Sequence, residues 1–154
     1  MHRYLKYTLL LLLFLSNSFG ASQIVKGGTV SDGLDVSAIK LGTHEESTRI
    51  VFFVNYWEGH EQANTPAKST GSYEFKLSDD SLSIEAQLLG FRSATAGDIE
   101  SHRGTNIKSI KQLRGEEYGD DSSVFYKIEL SKPSIIKAFT LQNPSRIVLD
   151  IGDL

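Results

Sequence analysis

Polar and apolar residues alternate in register along most of the chain. Tyr73, Phe75 and Leu77 alternate with Glu74 and Lys76, and Leu82, Ile84, Ala86 and Leu88 alternate with Ser81, Ser83, Glu85 and Gln87. Val124, Tyr126, Ile128 and Leu130 alternate with Phe125, Lys127 and Glu129. Ile147, Leu149 and Ile151 alternate with Val148 and Asp150. A period of two places each apolar set on one face of a strand, against a core. Asp79-Asp80, Gly119-Asp120-Asp121 and Asn143-Pro144 supply turn chemistry between these runs. No segment sustains a 3.6-residue period. Ile107, Ile110 and Leu113 are spaced by three, which fits either a helical turn or a bulged strand.

An internal repeat favours the bulged strand. Val36-Ser37-Ala38-Ile39-Lys40 resembles Ile107-Lys108-Ser109-Ile110-Lys111. Each is followed by a polar, acidic turn (Thr43–Ser47 or Gly115–Ser122) and then by an apolar strand, Thr48–Val54 or Ser123–Leu130. Phe75-Lys76-Leu77 precedes a turn and Leu82-Ser83-Ile84, as Phe139-Thr140-Leu141 precedes a turn and Ile147-Val148-Leu149. Each half thus reads strand, turn, strand, loop, strand, turn, strand. The polar segment Phe91–Thr105 joins them. Eight short strands in two equal halves predict an all-β, two-sheet sandwich with an internal pseudo-two-fold duplication.

The amino terminus changes the picture of where this sandwich works. His2, Arg3 and Lys6 precede an unbroken apolar run, Leu9–Leu15. Ser18 and Gly20 then stand at the −3 and −1 positions of a cleavage site before Ala21. These are the parts of a secretory signal peptide over residues 1–20. The run is well short of the ~20 apolar residues that span a bilayer, so no stable membrane insertion is expected after cleavage. Residues 21–35, rich in Gly and Ser, read as a flexible lead-in, and 36–154 as one domain. The chain has no cysteine, which excludes disulfides, thiolate metal sites and a lipidated N-terminal cysteine. Its net charge is −3, and loss of the leader with Arg3 and Lys6 leaves −5. No basic run remains, so nucleic acid is not an expected partner.

The closing strand carries a resemblance. Phe139-Thr140-Leu141-Gln142-Asn143-Pro144-Ser145-Arg146-Ile147-Val148-Leu149-Asp150-Ile151 resembles the end of an AMIN domain, whose pattern is roughly F-x-L-x-N-P-x-R-[ILV]-V-[ILV]-D-[ILV]. Thr48-Arg49-Ile50-Val51-Phe52 resembles that family's other signature, T-R-[IV]-V-F-D-L, with Phe53 where the family usually has Asp. Ile39-Lys40-Leu41-Gly42 fits its opening strand. The resemblance spans Val36 to Leu154. It implies a periplasmic β-sandwich that binds peptidoglycan or guides localisation without catalysis, of the kind found ahead of peptidoglycan amidases and outer-membrane secretins. With the motif so close to Leu154, the expected form is a stand-alone module whose attached activity is missing or comes from a partner.

Strand periodicity divides the motif residues between two faces. Ile50 and Phe52, with Ile147, Leu149 and Ile151, are assigned to the core. Arg49, Val51 and Phe53, with Arg146, Val148 and Asp150, then share the opposite faces. Arginine holds carboxylates bidentately, and peptidoglycan stem peptides carry carboxylates, so Arg49 and Arg146 are candidate anchors. The competing role is pairing to a neighbouring strand. Arg146 and Asp150 are too far apart on one strand face to pair directly without bending. Trp57, the only tryptophan, opens a long loop to Gly71 that holds no strand signal. It is either a platform for a sugar ring or a core plug.

Catalytic chemistry finds little footing. His44, His60 and His102 stand in polar segments, and His44-Glu45-Glu46 and His60-Glu61 lack the H-E-x-x-H spacing of a helical zinc site. No nucleophile elbow or phosphate loop occurs. Asp79-Asp80 and Asp120-Asp121 suit weak calcium binding or simply turn formation. The expectation is a periplasmic, non-enzymatic module without a cofactor. Its partner is peptidoglycan or, alternatively, a cell-envelope protein such as an amidase or a secretin complex, docked without peptidoglycan.

Overall fold

A computed structural model describes residues 22–59 and 64–154. The leader over 1–20 and the His60-Glu61 pair lie outside the described residues. Ten strands run in chain order: β1 (Ile24–Gly28), β2 (Leu34–His44), β3 (Ser47–Tyr56), β4 (Ser72–Leu77), β5 (Ser83–Leu89), β6 (Phe91–Ala94), β7 (Ile107–Leu113), β8 (Ser123–Leu130), β9 (Ser134–Leu141) and β10 (Arg146–Asp153). They form two five-stranded sheets. One has the order β1-β4-β5-β8-β7 and the other β6-β2-β3-β10-β9. The two-sheet sandwich expected from the alternation is what the chain adopts.

The duplication is visible in the topology. Each half sends one hairpin to each sheet: β2–β3 and β4–β5 from the first, β9–β10 and β7–β8 from the second. The halves meet twice, where β10 pairs β3 and where β5 pairs β8. Exchanging β2, β3, β4 and β5 for β7, β8, β9 and β10 maps four strands of each sheet onto the other. The register shifts also match. One lies between Val36 and Ala38 and the other between Ile107 and Ser109, so Ser37 and Lys108, equivalent in the repeat, are the extra residues. The three-residue spacing of Ile107, Ile110 and Leu113 is therefore a bulged strand.

Two strands escaped the sequence reading. The segment 21–35 is no loose lead-in across its length: Ile24–Gly28 pairs with β4 along its whole run, and Leu34–Asp35 already belongs to β2. Its glycines hid it. Gly27 lies opposite Tyr73, and a side chain there would collide with the Tyr73 hydroxyl. Gln23 extends this edge across to the other sheet, donating to the Ile136 carbonyl (2.7 Å) and accepting from the Ile136 N–H (3.0 Å). The polar connector 91–105 likewise begins with β6, which runs parallel to β2 and so lacks the hairpin turn that marks a strand in sequence.

Asp35 fastens β6 to β2. It is fully buried and accepts from the Ser93 hydroxyl, the Thr95 N–H (3.0 Å) and the Thr95 hydroxyl (2.7 Å). Those donors are what make a carboxylate tolerable without water. The long connection between β3 and β4 is also partly built in. Thr65–Ala67 runs back along the end of β3 through Tyr56 N–H to Thr65 O (2.9 Å) and Ala67 N–H to Val54 O (3.1 Å). Asp80 and Asp120 serve their own turns. Asp80 accepts from Ser78 and Leu82, and Asp120 from the Ser122 N–H and hydroxyl.

The core lies between the sheets. Ile50, Phe52, Ile147 and Leu149 point into it and are fully buried. The Phe52 ring stands 6.1 Å from Phe75 and 5.7 Å from Tyr126 of the facing sheet, within the range of favourable aromatic contact. The Tyr126 hydroxyl is buried with no hydrogen-bond partner among the described residues. Burial, with Asp35 adding to it, drives its pKa well above the ordinary value. An unmade hydrogen bond of this kind costs about 1–3 kcal/mol. Tyr126→Phe should therefore stabilise the protein by about 1 kcal/mol, read as a higher urea midpoint at unchanged slope. A loss of stability would show that the hydroxyl is satisfied in the folded protein.

Candidate functional site

The outward faces of the two sheets differ in chemistry. On the β1-β4-β5-β8-β7 sheet the register lines up Lys26 with Glu74, Lys76 with Glu85, and Glu85 with Lys127. Lys26 and Glu74 close to 3.0 Å, and Lys127 reaches Glu129 at 3.2 Å. Beyond Lys127 this row ends on a second lysine, Lys111, which reaches Glu100 at 3.5 Å.

The outward face of the β6-β2-β3-β10-β9 sheet collects the motif residues. Pairing of β3 with β10 sets Phe53 opposite Arg146, Val51 opposite Val148 and Arg49 opposite Asp150. On the β2 side the rows continue to Ala38, Lys40 and Gly42, and on the β9 side to Leu141, Phe139 and Lys137. Period two aims all of these away from the core. The result is a strip of Phe53, Val51, Val148 and Phe139, bordered by Lys40, Lys137 and Arg146, with one ion pair set into it. Val148, though outward, is only 1 % exposed, flanked in its row by Val51 and Phe139.

Arg49 and Asp150 form that ion pair. Arg49 donates Nε to Oδ1 and Nη2 to Oδ2 of Asp150, both at 2.7 Å. Their side chains are 24 % and 15 % exposed, so water screens the pair only in part. The carboxylate raises the Arg49 pKa further above its ordinary value. The Arg49 guanidinium also lies 5.3 Å from the Phe139 ring centroid. Arg49 is thus spent within the sheet, the pairing role weighed for it from sequence.

Arg146 is held differently. Its Nε donates to Pro144 O (2.9 Å) and its Nη2 to Gln142 O (3.3 Å). The turn fixes the guanidinium at the end of the strip while leaving donors uncommitted. Lys40 lies over the Phe53 ring, 5.0 Å from its centroid. The Lys137 side chain has no ion pair or hydrogen bond to another described residue. Sequence reasoning passed over Lys40 and Lys137, because their membership of the strip depends on which strands flank β3 and β10.

Trp57 is 39 % exposed and is not a core plug. Its N–H bonds Gly33 O (2.8 Å), which continues the ladder beyond β3. The Arg92 guanidinium sits 5.6 Å from the ring centroid. Arg92 is itself bound to Asp32 at 2.9 and 3.3 Å. His44, at the end of β2, and His102 are exposed. Among the described residues no group of three or more His, Cys, Asp or Glu side chains is arranged to hold a metal ion, and no helix is long and apolar enough to cross a membrane.

The half-buried Arg49–Asp150 pair should be energetically coupled. A double-mutant cycle of Arg49→Ala and Asp150→Ala, followed by urea unfolding, should return an interaction of about 1–2 kcal/mol. A coupling of zero would mean that the pair is held by the sheet and contributes nothing to holding it.

No protein-family model, curated protein or solved structure matches this chain, and what the site can do has to be read from its own side chains.

Proposed function

We propose that this protein is a non-catalytic binding module of the cell envelope, AMIN-like and exported to the periplasm, that docks peptidoglycan on the outward face of the β6-β2-β3-β10-β9 sheet. One observation carries this reading. A chain of net charge −3 sets Lys40, Lys137 and Arg146 around an apolar strip whose only carboxylate within the rows, Asp150, is already neutralised by Arg49. A local cationic surface on an acidic protein attracts anions. The apolar strip between the cations suits the short side chains of a peptide.

The sequence resemblance supports the same face. The strands that carry its two signatures are β3 and β10, neighbours in one sheet, so the signature positions with outward side chains form a single surface. Phe53, where the family usually has Asp, removes an acid from that surface and adds an aromatic ring beneath Lys40.

A second reading draws on the apolar part. Val51 and Phe53, with Phe139 and Leu141, are only partly covered, and an apolar strip of this kind also fits a protein partner such as an envelope amidase or secretin complex. Co-sedimentation of the purified protein with isolated sacculi separates the two. The expected result is saturable retention that weakens as salt rises, since screening shortens the reach of the lysine and arginine charges. Arg146→Ala should reduce retention several-fold. Absence of retention at low salt would discard peptidoglycan and leave the protein partner.

A further inference from the structure

At one end the strip deepens into a groove of roughly 430 Å³ between the end of β2, β3, β10 and β9. It is a shallow surface groove, open to solvent. The floor is the Arg49–Asp150 pair, which contributes no net charge. Phe139 and Ile135 form an apolar wall on β9, and Ile135 is 50 % exposed. Lys137 stands between these two outward residues of β9 in the groove lining. It is the cation of the groove whose side chain has no ion-pair partner among the described residues. Across from it, Glu45 and His44 line the β2–β3 end. Glu45 repels an anion from that side, so a ligand carboxylate has one favourable position, beside Lys137.

We infer that this groove takes a short peptide bearing a free carboxylate, with the carboxylate on the Lys137 ammonium and a small apolar side chain against Ile135 and Phe139. This rests on the peptidoglycan reading above and deepens it: the peptide stem, and not the sugar chain, is what the module recognises. The aromatic group best suited to a sugar ring points the same way. Trp57 lies beyond the Phe53 end of the strip, remote in register from Arg49 and Asp150, and Arg92, locked to Asp32, stands over its ring.

Amidase digestion of sacculi supplies both probes from one preparation: free stem peptides and peptide-free glycan strands. Titration calorimetry on the purified protein should show binding of the stem peptides and none of the glycan strands. Amidation of the peptide carboxylates should abolish binding. Lys137→Glu should weaken it about tenfold or more, the scale of one lost charge-assisted contact, whereas Lys137→Arg should retain it. Unfolding of each variant in urea shows that the exposed substitutions leave the fold intact.

Each alternative result is separable. Binding of glycan strands without binding of peptides would overturn the inference while leaving the peptidoglycan module standing. Peptide binding insensitive to Lys137→Glu or to amidation would overturn the placement of the carboxylate. Retention on sacculi without binding of either soluble fraction would also overturn it. Lys137-dependent peptide binding by a protein that sacculi do not retain would uphold the groove and remove the peptidoglycan reading.

Discussion

The register between β3 and β10 is the constraint on which the rest depends. These two strands join the first and second halves of the chain at the centre of one sheet. They carry Ile50, Phe52, Ile147 and Leu149 to one side and Arg49, Phe53, Arg146 and Asp150 to the other. A slip of one residue would exchange the two sets, burying an ion pair and an arginine while exposing the core. The cost of desolvating those charges excludes such a slip from a packed interior. The bidentate Arg49–Asp150 contact marks it on the outside, as the Phe52–Phe75–Tyr126 cluster does on the inside.

The same register builds the surface. Cross-strand neighbours share a face, so residues 49–53 and 146–150, remote in sequence, become one strip. The flanking strands then add Lys40 on one side and Lys137, Phe139 and Leu141 on the other. The opposite sheet is built by the same rules and carries Lys and Glu rows in which Lys26, Lys111 and Lys127 each have a carboxylate partner. The two outward faces differ because their residues differ, and the pseudo-two-fold relation between the sheets does not extend to them. Symmetry sets the scaffold, and departures from it set the candidate function.

What could be read from the sequence follows from this division. Period-two alternation revealed the strands that are buried on one side, because a half-buried strand must alternate. The repeat favoured a bulged strand at Ile107–Leu113, and the structure puts the bulge at Lys108, matched by Ser37 in β2. Strand β1 was hidden because two of its five residues are glycines, Gly27 beneath the Tyr73 ring and Gly28 against the Gly71 backbone. Strand β6 was hidden because parallel pairing leaves no turn signature and Phe91 is its one fully buried apolar residue. For the site, the face shared by Arg49, Val51, Phe53, Arg146, Val148 and Asp150 was legible from alternation. The partner of Arg49, the buried state of Val148 and the unpaired Lys137 were not, because each depends on which strand lies alongside.

The central claim, that ligand is held on the outward face of the β6-β2-β3-β10-β9 sheet, is tested most directly by backbone amide NMR of labelled protein titrated with solubilised peptidoglycan fragments. The account predicts shifts concentrated at Val51, Phe53, Lys137, Phe139 and Val148, with Lys76, Glu85 and Lys127 on the other sheet unmoved. Shifts centred on the Lys76–Glu85–Lys127 row, or confined to the Trp57–Arg92 corner, would contradict it.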